Sequence, residues 1–342
     1  MPTPVSRPES RPGSVGAFST LRGRNLLTLD DVTGAEILEL VERAELLRQR
    51  RRDGANVATL AGRAIALIFL KPSTRTRAAF IVAATQTGAH AEVFTREDIR
   101  FGVKESTKDI ARVLGRMFDG IMFRGFEHAT IAEFAAHAGV PVWNGLCEQY
   151  HPTQVLADLQ TLRQNFGELS GLPLTYVGDG RNNMAITLAI AAAKIGLDLR
   201  ILAPPELHPD PELIAGLLAR RESPVGAITV TDDWSTALDG SAALYSDVWV
   251  SMGEEDQTDE RIALLRDYKV TAAMMAATRR PDSIYLHCLP AFHDLDTEAA
   301  RARPDLREVD DDVFEGPNSR VFDQAENRMH TAKAVMELTL LG

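Results

Sequence analysis

Short apolar runs alternate with helix-patterned stretches along almost the whole chain, in two successive series. In the first, Ala64–Leu70, Ala89–Phe94, Gly120–Phe123 and Val140–Trp143 read as strands. The clearest of them, Ala64–Leu70, is apolar throughout rather than alternating, the pattern of a strand buried on both faces of a parallel sheet. Helical spacing begins at Asp30 or Asp31 as a cap and runs to about Arg52, where Gly54 ends it. It returns after Thr76, over Asp109–Phe118 and over Thr130–His137, while 96–107 has no period and reads as a loop. Pro152–Phe166 is a helix with proline at its first position. The second series has strands at Leu174–Val177, Leu199–Leu202, Ala227–Val230, Ala242–Tyr245 and Ser283–Leu286. Its helices are Asn182–Ile195, Pro211–Arg220, Asp259–Met275 and a closing Ala325–Leu340. Strand–helix alternation of this kind demands a parallel sheet covered by helices. The expected fold is α/β: two doubly wound parallel-sheet domains joined near residue 150, with a ligand cleft between them closed by interdomain helices.

Chemistry-bearing residues sit at the expected strand ends. Lys71-Pro-Ser-Thr-Arg-Thr-Arg77 is a strand-to-helix turn. Its backbone N–H groups and helix dipole suit a phosphate, and it adds three hydroxyls and two guanidiniums. Taken alone it reads equally as a hydroxyl cap followed by surface arginines. The whole chain carries 37 basic against 48 acidic residues, a net charge of −11. An anion site here is therefore a local basic pocket in an acidic molecule, and a nucleic-acid surface is not expected. Two cysteines make no disulfide framework and point to a reducing, cytoplasmic setting. No apolar run reaches membrane-spanning length. Residues 1–18 are rich in Pro, Ser and Arg and are expected to be a disordered tail.

Arg124 ends one strand, and His151 precedes a proline at the start of a helix, where its imidazole can donate to a carbonyl oxygen. Each alone reads equally as a surface arginine and a capping histidine. Gly178-Asp-Gly-Arg-Asn-Asn-Met184 is only a weak dinucleotide fingerprint, because Asn182 and Asn183 stand in the region of the third glycine. Asp247-Val-Trp-Val-Ser-Met-Gly253 and His287-Cys-Leu-Pro290 follow two further strands, and Asp323–Arg328 opens the last helix. Metal spacing is absent: there is no C-x-x-C, and adjacent His287 and Cys288 chelate poorly.

Taken in order, Ser73–Arg77, His151-Pro-Thr-Gln154, Asp247–Gly253 and His287–Pro290 resemble the aspartate/ornithine carbamoyltransferase family, and Ser-Met-Gly resembles its ornithine-using members. The likeness covers roughly 20–342. It implies a carbamoyl-phosphate domain at 19–150 plus 322–342 and an ornithine domain at 151–321. It implies that Ser73, Thr74, Arg75, Thr76, Arg124, His151, Gln154 and Arg328 bind carbamoyl phosphate, with Cys288 and Leu289 against it. Arg100 stands where such enzymes commonly carry a glutamine that reaches a neighbouring subunit's site. Asn183, Asp247, Ser251 and Met252 are the implied ornithine ligands, and Arg124, His151, Asp247 and Cys288 the implied catalytic set. The resemblance further implies a cis Leu289–Pro290 bond, no cofactor, no metal, and a homotrimer or larger assembly of trimers with sites at subunit interfaces. The implied reaction is direct attack of the ornithine δ-amine on carbamoyl phosphate, giving citrulline and phosphate. Other acceptors, namely N-acylated ornithine or putrescine, stay open, as does a nucleotide-binding dehydrogenase on the same fold type.

Overall fold

The computed structural model describes residues 19–99, 104–250 and 255–341. The expected tail at 1–18 and the candidates Arg100, Ser251 and Met252 lie outside the described residues. Helix α1 (Gly34–Arg52) precedes a four-stranded sheet of β1 (Ala64–Phe69), β2 (His90–Thr95), β3 (Gly120–Arg124) and β4 (Val142–Leu146). Helices α2 (Arg75–Thr87), α3 (Thr107–Met117) and α4 (His128–Ala138) connect those strands. Helix α5 (Pro152–Phe166) leads to a second sheet of β5 (Pro173–Val177), β6 (Asp198–Leu202), β7 (Ala227–Thr231), β8 (Ala243–Ser246) and β9 (Ile284–His287). Between these strands lie α6 (Asn183–Ile195), α7 (Pro211–Ala219), α8 (Trp234–Leu238), α9 (Thr258–Leu265) and α10 (Ala272–Ala277). Short α11 (Glu298–Ala302) and α12 (Asp311–Phe314) follow, and α13 (Val321–Leu340) returns to pack on α1, α2 and α5.

Every strand pairing within the two sheets is parallel, with orders β2-β1-β3-β4 and β7-β6-β5-β8-β9. From Ile65 onward every residue of β1 is buried, as the unbroken apolar run requires. The chain winds one way from β1 and the other way from β3, and likewise from β5 and β8. Open α/β sheets bind ligands beyond the strand C-termini at such a reversal. The Lys71–Thr76 turn and Arg124 flank the first reversal; Gly178–Asn183 and Asp247 flank the second.

Several local readings are corrected. Helix α1 is capped by Thr33, whose side chain accepts from the Glu36 N–H while Glu36 returns to the Thr33 N–H; Asp30 and Asp31 belong to a preceding turn of 3₁₀ helix. Strand β4 starts at Val142, two residues later than expected, because Pro141 has no N–H to give a ladder. The expected Asp259–Met275 helix breaks at Val270, which pairs with Val309 instead. The loop after β2 ends sooner, with Ser106 capping α3 through the Asp109 N–H.

Helices α3 and α4 approach so closely that a Cβ added at Gly115 would lie 1.7 Å from the Ala138 carbonyl oxygen. Backbone cannot swing aside as a side chain can. Gly115→Ala should therefore lose about 1–3 kcal/mol or more, the usual range for overpacking, read as a lower urea midpoint. An unchanged midpoint would show that the two helices separate freely.

Candidate active site

At the first reversal, α2 starts directly under the cleft. The Ser73 hydroxyl accepts from the Thr76 N–H at 3.2 Å, while Thr74 is exposed and its side chain makes no cap bond. Arg75 reaches across to donate to the Leu289 carbonyl at 2.6 Å. Thr76 is buried, and its hydroxyl accepts from Arg328 Nη2 at 2.8 Å. Arg328 projects from α13 and also donates to the Gln154 side-chain oxygen. Arg124, at the end of β3, and His151, at the start of α5, are buried beside them. Arg124 Nε and His151 Nδ1 have no hydrogen-bond partner among the described residues. Gly145 on β4 lets these groups crowd together: a Cβ there would meet Met122, Thr76 and Arg124.

The second reversal supplies acidic and amide groups. Asp247 follows β8 and accepts from its neighbour's Val248 N–H at 2.8 Å and from the Cys288 thiol at 2.9 Å. Cys288 and Leu289 follow β9, Leu289 has φ +59, and the Leu289–Pro290 bond is cis, as the resemblance implied. The Leu289 N–H donates to His287 Nδ1 at 2.8 Å, which pins the turn. Asn182, not Asn183, caps α6, through the Ala185 N–H at 2.9 Å. Asn183 donates to the Cys147 carbonyl at 2.9 Å, tying α6 to the segment that precedes His151.

The electrostatics follow from this crowding. Burial, then mutual repulsion with Arg328 and Arg75, brings the Arg124 guanidinium down to about 10. Burial brings Arg328 down to about 10 as well, although Asp158 opposes the shift. The same burial and the same three arginines hold His151 well below the usual imidazole range, so it is neutral at physiological pH. Asp247 is raised by burial, and Cys288, raised well above an ordinary thiol by burial and by Asp247, stays protonated. Three crowded guanidiniums, with Asp158 behind Arg328, thus face a carboxylate–thiol pair across the cleft. A protonated thiol that donates to Asp247 is no nucleophile.

Sequence reasoning missed several groups behind this surface. Thr187 accepts from the His151 N–H at 3.0 Å. Asp158 and Gln324 form a fully buried pair behind Gln154. Asp158, one helical turn after Gln154, carried the only local signal, and its partner is 166 residues away.

This fold and constellation define a class. Residues 24–164 match the family model "Aspartate/ornithine carbamoyltransferase, carbamoyl-P binding domain", and 170–339 match "Aspartate/ornithine carbamoyltransferase, Asp/Orn binding domain". The chain belongs to the aspartate/ornithine carbamoyltransferase family. Within it, the following relatives carry the name ornithine carbamoyltransferase. The chain is 51% identical over 329 residues to ornithine carbamoyltransferase 2, anabolic, of Pseudomonas savastanoi pv. phaseolicola, covering 95% of this chain and 99% of that one. It is 50% identical over 325 residues to a catabolic ornithine carbamoyltransferase of Bacillus licheniformis, covering 94% and 97%. The solved ornithine carbamoyltransferase from Pyrococcus furiosus superposes with a TM-score of 0.86 at 38% identity, over 95% of this chain and 99% of that one.

Proposed function

We propose that this enzyme transfers the carbamoyl group of carbamoyl phosphate to the δ-amine of L-ornithine, giving citrulline and phosphate, within arginine metabolism. The observation that carries the reading is the convergence of Arg75, Thr76, Arg124, His151 and Arg328 on the start of α2, opposite Asp247 and Cys288. The phosphate dianion sits on the α2 N-terminus among Ser73, Thr74, Arg75 and Arg328, since guanidiniums grip phosphate oxygens directionally. The carbonyl oxygen points to Thr76, Arg124 and neutral His151, which donate to the negative charge that grows there. Gln154 and the Cys288–Leu289 backbone complete that end of the site. Asn183 and Asp247 hold the amino acid, with Ser251 and Met252 from the adjoining segment. The amine lone pair forms the N–C bond and the C–O bond to phosphate breaks with its electron pair. The proton released from nitrogen passes to the departing phosphate, and Asp247 accepts the one lost earlier from the ammonium. No covalent enzyme intermediate is needed; orientation does the remaining work.

The domain division at about residue 150, with 322–342 returning to the first domain, is supported by α13 packing on α1, α2 and α5. Self-association is supported by exposed Val113 and Met117 (the latter 69% exposed) on one face of α3 and by exposed Phe126, and the homotrimer rests on the resemblance. By the resemblance, Arg100 is the proposed contact to carbamoyl phosphate across the subunit interface, and it lies outside the described residues. Two free cysteines support a cytoplasmic enzyme. Among the described residues no helix is long and apolar enough to cross a membrane. The test is citrulline formation from carbamoyl phosphate and ornithine, with putrescine and N-acetylornithine as competing acceptors. A faster reaction with either competitor would overturn the acceptor assignment.

The pH profile separates the amine from His151. A lysine-like amine has a pKa of about 10.4, and only its neutral form attacks. Free ornithine sheds that proton only as pH rises, so kcat/KM for ornithine should rise from about pH 6 to pH 8 and above; burial and the nearby guanidiniums, opposed by Asp247, act on the bound amine and so on kcat. His151 is depressed below that window and has already lost its proton. His151→Gln should therefore lower the profile by roughly the same factor, about 10²–10³, at each pH and leave its acid limb in place. An acid limb that moves with this substitution would assign the titration to His151.

A further inference from the structure

We propose that Asp158 is a positioning residue that fixes the amide orientation of Gln154, and through it the aim of Arg328; the inference rests on the phosphate-binding reading above. One oxygen of Asp158 accepts from Gln154 Nε2 at 2.9 Å and from Gln324 Nε2 at 2.6 Å. Each glutamine thereby presents its own oxygen in the opposite direction. The Gln154 oxygen accepts from Arg328 Nη1, and the Gln324 oxygen accepts from the His287 N–H at 2.9 Å. All four side chains in this chain of bonds, Arg328, Gln154, Asp158 and Gln324, are at most 4% exposed. A side-chain amide is nearly symmetric in shape, and its direction is set only by its partners. Without an acceptor at the Asp158 position, Gln154 gains by turning its NH₂ away from that position, and it then opposes donor to donor at Arg328. Arg328 would keep Thr76 but lose the bond that sets its second nitrogen. The same carboxylate oxygen orders both the guanidinium of the first domain and the backbone that leads into Cys288 and Leu289.

What orients Gln154 is the acceptor; the charge of Asp158 acts separately, by favouring the charged form of Arg328. The second oxygen of Asp158 has no hydrogen-bond partner among the described residues. Burial raises this carboxyl to about 7, which agrees with a group that works in its protonated form as well. An asparagine can keep its oxygen toward both glutamines and turn its NH₂ toward the buried Tyr245 hydroxyl, whose oxygen can accept.

The experiment is steady-state kinetics of the full-length enzyme with Asp158→Asn, Asp158→Ala and Asp158→Leu. Alanine and leucine bracket the packing; each leaves two buried amide donors without their acceptor and costs stability, so a thermal melt accompanies the kinetics. Whichever melts cooperatively is read. Loss of a hydrogen bond to a charged group corresponds to a factor of about ten to a hundred, so the KM for carbamoyl phosphate should rise by that factor in the apolar variant, with the KM for ornithine changing less than about threefold. Asp158→Asn should restore the carbamoyl-phosphate KM to within about threefold of wild type, a rescue that loss of packing alone would not give. An apolar variant with an unchanged carbamoyl-phosphate KM overturns the inference, as does an asparagine variant as impaired as the apolar one. Absence of turnover by the wild-type enzyme would count against the phosphate-binding reading itself, which keeps the two failures apart.

Discussion

Arg124→Met is expected to lower kcat/KM for carbamoyl phosphate by about 10²–10³, the loss usual when one donor to a developing oxyanion is removed. The same substitution is expected to leave the melting temperature unchanged or higher. The two outcomes have one cause. Arg124 is buried among Arg328 and Arg75, and its guanidinium is depressed to about 10. A base whose folded-state pKa lies below its free value is unfavourable to folding wherever it is charged, here at every pH below about 10. Methionine keeps most of the volume and removes that repulsion. The site therefore holds cations together where a dianion is favourable, and binding of the phosphate offsets their repulsion. Steady-state kinetics and a thermal melt of the same preparation check both halves. Full activity in the variant, or a melting temperature that falls along with activity, would mean that Arg124 is structural.

Asp247→Asn is expected to strike the other substrate. Leaving a desolvated cation without its anionic partner removes about 2–5 kcal/mol of binding, so kcat/KM for ornithine should fall by about 10²–10³ while the KM for carbamoyl phosphate stays within about threefold. Asparagine can keep its oxygen on the Val248 N–H and the Cys288 thiol, and gives up the 3.3 Å bond that Asn182 donates to the other carboxylate oxygen. Burial raises Asp247, so its cost to folding is absent below the unfolded carboxylate pKa, grows as pH rises from there, and is complete above the shifted pKa. Melting at pH 8 should accordingly be no lower in the variant. A carbamoyl-phosphate KM that rises as much as the ornithine KM would place Asp247 on the wrong substrate. Together the two variants divide the cleft into a phosphate half and an amine half.

Most of the fold could be read from the chain because buried parallel strands are unbroken apolar runs. Their C-terminal ends fall where Arg124, Asp247 and Cys288 stand. Helix α5 was bounded by its own punctuation, Pro152 at the start and Gly167, at φ +78, after the end. The Thr33 cap was also legible as Thr-x-x-Glu, and the neighbouring aspartates obscured it. The break at Val270 was not legible, since only its pairing with distant Val309 makes an apolar helical stretch turn extended. Asp158 is the instructive omission at the site. A charged residue in mid-helix reads as a solvated face, and only the return of α13, bringing Gln324, turns it into a buried acceptor. Roles set by contacts within a turn were visible in the residues themselves, and Arg328, whose role is set by α13 meeting α2 and α5, was reached only through the resemblance.

The central claim is that phosphate binds at the start of α2 and the amino acid across from it at Asp247. A crystal structure with an adduct that joins ornithine's δ-nitrogen to a phosphonoacetyl group tests this most directly, because one molecule spans both halves. The phosphonate should lie within hydrogen-bond reach of the Ser73–Thr76 backbone and the Arg75 guanidinium. The amide oxygen should lie at Arg124 and His151, and the amino-acid end beside Asn183 and Asp247. An adduct bound in the reverse direction, or outside the cleft between the two sheets, would contradict the account.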